Sequence, residues 1–155
     1  MDRFLHTLMQ QGLRGDGAMG TMAQRQGLPV ASCPELWNLT HPERILGIHQ
    51  GYLNAGSQVI QTNTFGATRW HLARYGLAAY AAAINHQAVT LARQASGGRA
   101  YVLGTLGPPP PLELLASAPD IPGLQAAYRE QCTTLLAAGV DGLLHVFLQR
   151  VVERR

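Results

Sequence analysis

The residues best equipped for chemistry fall in three short clusters: Asp16-Gly17-Ala18-Met19-Gly20, Thr62-Asn63-Thr64 and Gly104-Thr105. Asp16 can pair with an ammonium group. The backbone N–H groups of Gly17 to Gly20, at a helix start, can hold a carboxylate. One site with both features would suit an amino acid. An Asp in such a place serves equally as a helix cap, and residue types alone leave both readings open. The glycines lack the G-x-G-x-x-G spacing, and a chain without Lys has no Walker lysine, which argues against phosphate binding.

The six histidines show no ligand spacing. His41, His49, His71 and His86 fall on predicted helices or caps, where a lone His is ordinarily surface or satisfied core. Cys33 lies in a Pro-flanked loop. Cys132 reads as a small hydrophobe on the inward face of a helix. Neither forms a Cys-x-x-Cys pair, and two distant cysteines make no disulfide framework.

These clusters need elements to position them. The 155 residues are 46% apolar and 14% charged, enough for one domain with a real core. The formal charge of +3 is spread over scattered Arg residues with no basic stripe, so nucleic acid is not an expected partner. No apolar run is long enough to span a bilayer, and the N-terminus lacks a signal-peptide core. The reading is a reduced, cytoplasmic protein with no membrane partner.

Strand and helix signals alternate. A short strand ends at Asp16, and a helix is expected from about Thr21 to Gly27. Leu28 to Leu39, with Pro29 and Pro34, reads as a loop. Thr40 and Glu43 have capping-box spacing with Pro42 in the first turn, and Ile45, Ile48, Tyr52 and Leu53 then share a helical face up to Gly56. Ser57 to Thr62 is β-branched and short, a strand. A helix from about Leu77 to Ala95 precedes a strand from Ala100. Four prolines, Pro108 to Pro111, forbid regular structure. Asp120 can cap a helix carrying Leu124, Tyr128, Cys132 and Leu135 inward, and a last strand spans Val140 to Phe147.

Strand ends therefore fall near residues 16, 62, 105 and 146, and the three polar clusters sit on the first three of them. The alternation predicts an α/β fold with about four parallel strands, the N-terminal half of a (β/α)8 TIM barrel. A small doubly wound sheet is the alternative. In either, ligands bind at the C-terminal ends of the strands.

The blocks Asp16-Gly17-Ala18-Met19-Gly20-Thr21, Cys33-Pro34-Glu35-Leu36-Trp37-Asn38-Leu39-Thr40, His49 through Gly56, Gln61 through Ala67, Tyr75-Gly76-Leu77 and Gly104-Thr105-Leu106-Gly107-Pro108 occur in one order. Together they resemble the homocysteine S-methyltransferase family. The likeness is strongest to the homocysteine-binding domain of cobalamin-dependent methionine synthases and to bacterial fusions of that domain with methylenetetrahydrofolate reductase. The resemblance implies a (β/α)8 barrel that methylates the homocysteine thiolate to give methionine. It implies zinc held by three Cys thiolates on later strands, and a donor such as methylcobalamin or methyltetrahydrofolate. It implies homocysteine seated by Asp16, Gly17, Ala18 and Met19, with Thr62, Asn63, Thr64 and Thr105 lining the same mouth.

The resemblance has two departures. Cys33 and Cys132 do not match the zinc cysteines, so no metal ligand is expected in this chain. Val146 stands where the family carries Glu. The likeness runs to about Leu144, giving a half-barrel over residues 1–148 and an unmatched tail over 149–155. The expectation is a truncated form, from a frameshift or early stop near codon 145, inactive alone. The alternative is a non-catalytic half-barrel that associates with itself or with a complementary fragment through open sheet edges.

Overall fold

The computed structural model describes residues 2–109 and 121–146. The expected cap at Asp120, the second half of the proline run, Phe147 and the tail lie outside the described residues.

Three parallel strands, β1 (Val59–Gln61), β2 (Tyr101–Leu106) and β3 (Gly142–His145), form a sheet in the order β1-β2-β3. Ile60 pairs with Val102, and Thr105 pairs with Leu144. The helices are α1 (Asp2–Gln11), α2 (Met19–Arg25), α3 (Trp37–Thr40), α4 (Pro42–Asn54), α5 (Arg69–Ala73), α6 (Ala81–Ser96) and α7 (Ile121–Ala137). The mixed α/β order with parallel strands is that of a partial barrel.

The expected first strand is reduced to one parallel bridge, Gly15 to Val59. Side chains explain the loss. The Arg14 carbonyl accepts the N–H groups of both Gln58 and Val59, and the Gln61 N–H goes to the Asp16 carboxylate instead of a strand carbonyl. Asp16 thus serves as sheet edge rather than helix cap.

The helix after this edge starts at Met19, two residues before Thr21. The segment read as loop holds a 3₁₀ turn over Pro34–Leu36 and the single turn of α3. That turn displaces the expected capping box. The Thr40 hydroxyl donates back to the Leu36 carbonyl at 3.2 Å, and His41 becomes the N-cap of α4 with no side-chain cap bond. Gly56 does follow α4 with φ of +99°, a conformation only glycine adopts without strain.

The Ala-rich helix begins with a 3₁₀ turn over Ala78–Tyr80, leaving Tyr80 exposed, and α6 proper ends at Gly97 in the left-handed region. Its small residues let the helix lie close to the sheet: Ala92 and Ala95 cluster with Ile60 and Val102. On the other side Ile45 and Ile48 of α4 cluster with Leu91 and Trp37. The face that α7 buries is Ala127, Gln131 and Leu135, while Leu124, Tyr128 and Cys132 are only half-buried. A polar anchor turns the helix, as the site shows.

Candidate functional site

At the C-terminal ends of the strands lies a cavity of about 530 Å³. Asp16, Gly17, Ala18, Met19, Thr62, Asn63, Thr64 and Thr105 all line it. So does Gly20 of the same loop, with five residues that the sequence had not pointed to: Pro34, Glu35, Gln61, Phe65 and Val146.

Asp16 is half-buried at the strand edge. Its Oδ2 accepts the Gln61 N–H at 2.8 Å and its Oδ1 accepts the Gln61 amide at 3.0 Å. Burial pushes its carboxyl above the ordinary range, and the two Gln61 bonds oppose that shift. The loop from Gly17 leads directly into α2. Tyr52 from α4 sets its path by donating to the Ala18 carbonyl at 3.3 Å. A Cβ at Gly17 would come within 2.9 Å of the Tyr52 hydroxyl.

The threonines are buried and largely occupied with one another. The Thr64 hydroxyl donates to the Thr105 carbonyl at 2.8 Å, and the Thr105 N–H donates to Thr62 Oγ1 at 3.1 Å. The 2.6 Å contact between Thr62 and Thr64 is then a bond from the Thr62 hydroxyl to Thr64 Oγ1. Both hydroxyl protons are spent, so these side chains shape the wall and offer lone pairs rather than donors. Asn63 likewise gives its amide protons to the Pro34 carbonyl at 2.8 Å and Asn38 Oδ1 at 3.0 Å.

Three helices hold this wall. Asn38 donates to the Asn63 carbonyl, Asn85 to the Ala67 carbonyl and Gln131 to the Thr64 carbonyl, each at 2.7–2.9 Å. Gln131 is the polar anchor that turns α7. Phe65 accepts the Gly107 N–H at 2.9 Å, tying the wall to the end of β2.

Glu35 is a further site residue, and only 6% exposed. Its Oε1 accepts the Gly66 N–H at 2.7 Å, and its Oε2 accepts the Cys33 thiol at 3.3 Å. Burial, with the Glu35 charge second, pushes the Cys33 thiol up to about 12. The only sequence signal for Glu35 was its place in the Cys-Pro-Glu block.

The zinc implied by the resemblance can be tested on these groups. Zinc needs several converging thiolate or imidazole ligands, and the Cys33 thiol is instead engaged with Glu35. Among the described residues no three His, Cys, Asp or Glu side chains converge as a metal site. The described residues therefore do not fit zinc. Nor is any helix among them long and apolar enough to cross a membrane.

Comparison with known proteins places this geometry. The profile of the homocysteine S-methyltransferase family matches residues 13–155. The chain is 32% identical over 152 residues to methionine synthase of Mycobacterium leprae (strain TN), covering 90% of this chain and 12% of that one. Methionine synthase of Mycobacterium tuberculosis (strain ATCC 25618 / H37Rv) is similar at 31% identity, with 13% of its length covered. Among solved structures, the metallated form of the homocysteine methyltransferase MmuM from Escherichia coli superposes with a TM-score of 0.74 at 29% identity. That match covers 90% of this chain and 55% of MmuM. The chain thus spans about half of one relative and about an eighth of the others.

Proposed function

Because the chain belongs to the homocysteine S-methyltransferase family, we propose that its strand-end cavity seats the amino-acid end of homocysteine for methyl transfer to the thiol, giving methionine. The observation that carries this reading is convergence: residues from three separated stretches, near 16, 62 and 105, meet on one cavity. Asp16, fixed by Gln61, presents a carboxylate to the ligand ammonium. The loop of Gly17, Ala18 and Met19 takes the carboxylate end through backbone N–H groups. Thr62, Asn63, Thr64 and Thr105 form a rigid wall beside them.

The described residues bind and orient. They carry no zinc ligands, so activation of the thiol falls to groups outside them.

The test is a calorimetric titration of the chain with homocysteine. Saturable binding at one site is expected, weakened about tenfold or more in Asp16→Asn through loss of a charge-assisted contact. Absence of binding to the folded chain, or equal affinity in the variant, would overturn the reading.

A further inference from the structure

Among the described residues, the strand-end cavity is lined by two carboxyl side chains, Asp16 and Glu35, and by no Arg, Lys or His. Both ion pairs found among the described residues lie elsewhere, at Arg69–Glu130 and Arg93–Asp141. Glu35 is the more buried of the two carboxylates. Its partners are a backbone N–H and a thiol, neutral donors that stabilise a charge without cancelling it. A carboxylate removed from water with no cation beside it is costly to keep in a fold.

The backbone has made room for it. A Cβ at Gly66 would lie 2.9 Å from Glu35 Oε1. A side chain there would press on the Glu35 carboxylate at the turn that carries Phe65 to the cavity. The arrangement holds a second negative charge on the cavity that the 17–20 loop also lines.

We infer that Glu35 is a positioning residue: its charge acts with that of Asp16 to orient the ligand ammonium, and so sets a preference for ligands bearing a cationic amine. This rests on the amino-acid reading above and names the residue that makes the cavity selective. A purely structural Glu35 would only cap the Gly66 amide. The two roles separate because Glu35→Gln keeps an oxygen for Gly66 while removing the charge.

The experiment compares homocysteine with its des-amino analogue, 4-sulfanylbutanoate, by calorimetry on the full chain. The unaltered chain is expected to prefer homocysteine by about tenfold or more, the scale of one charge-assisted hydrogen bond. Glu35→Gln, with its fold checked by circular dichroism, should lose most of that preference while binding the analogue as before. Equal weakening of both ligands, or no change in either, would overturn the proposal. Should the Gln variant not fold, equal affinity of the unaltered chain for the two ligands still defeats the inference, together with the ammonium contact given to Asp16, while leaving homocysteine binding itself standing. Binding of neither defeats the homocysteine reading and the inference with it.

Discussion

At the N-terminal ends of the strands, Asp141 meets the Arg93 guanidinium at 3.0 Å and accepts the Val102 N–H at 2.7 Å. The cavity there, about 360 Å³, is also lined by Arg99. At the C-terminal ends, Asp16 and Glu35 line a larger cavity with no basic residue among the described residues of its walls. Both ends use an Asp side chain to complete the sheet, since Asp16 takes the Gln61 N–H just as Asp141 takes that of Val102. Among the described residues only the lower end supplies a counter-charge; at the upper end the proposed reading gives that place to the ligand ammonium.

The comparison breaks most readily at the upper end. A Cβ at Gly107 would sit 2.5 Å from the Phe65 carbonyl, the same oxygen that accepts the Gly107 N–H. Backbone cannot yield as a side-chain tip does. Gly107→Ala should lower stability by roughly 3–4 kcal/mol, the upper range for overpacking, and should weaken homocysteine binding with it. Thermal denaturation beside calorimetry measures both; a variant as stable as the parent would show that the wall is not held at this point.

Acid sharpens the comparison by exposing a group that belongs to neither end. His49 on α4 is fully buried, and neither of its ring nitrogens has a hydrogen-bond partner. The core was expected to satisfy such a residue, and here it does not. Burial lowers its pKa from 6.5 to about 4. The unfolded chain therefore takes up this proton first. The stability it confers is complete above about pH 6.5 and is lost as pH falls toward 4, about 3 kcal/mol in all. Urea midpoints between pH 7 and 4 should trace that loss, and His49→Leu should flatten it. A slope unchanged in the variant would place the acid sensitivity elsewhere. Asp16 is shifted the other way: burial raises its pKa, so on acidification the proposed ligand contact should be lost at a higher pH than with an ordinary carboxylate.

The smallest effect belongs to the lower end. Arg93 is half-exposed, and it also donates to the Gly139 carbonyl through Nε and Nη2. Arg93→Ala should cost about 1 kcal/mol of stability and leave homocysteine affinity unchanged. A change in affinity would mean that the two ends are coupled.

Much of this organisation was legible in the residues. The apolar spacing of Ile45, Ile48 and Leu53 located α4, and the β-branched pair Val59-Ile60 located β1. What escaped was set by side-chain bonds between distant segments. The Leu13–Asp16 stretch was expected as a strand from the alternation of elements, yet the Asp16 carboxylate takes over a backbone role and only a bridge forms. Apolar periodicity put Tyr128 and Cys132 inward on α7, whereas Gln131 turns the helix because its amide reaches the Thr64 carbonyl. Glu35 gave no hint of burial, since a Glu between Pro and Leu in a loop ordinarily faces water. The polar clusters at the strand ends were visible as residue types; that their hydroxyl protons are already spent was not.

Asn38, Asn85 and Gln131, on three different helices, each grip a carbonyl of the segment between residues 63 and 67. The entropy of ordering that stretch is lost when the chain folds, not when a ligand arrives. Fixing backbone costs roughly 1–2 kcal/mol per residue, so a slack wall of five residues would consume much of what a small amino acid can gain from its contacts. Here the wall is pre-organised, so its ordering is not charged against the binding of a ligand.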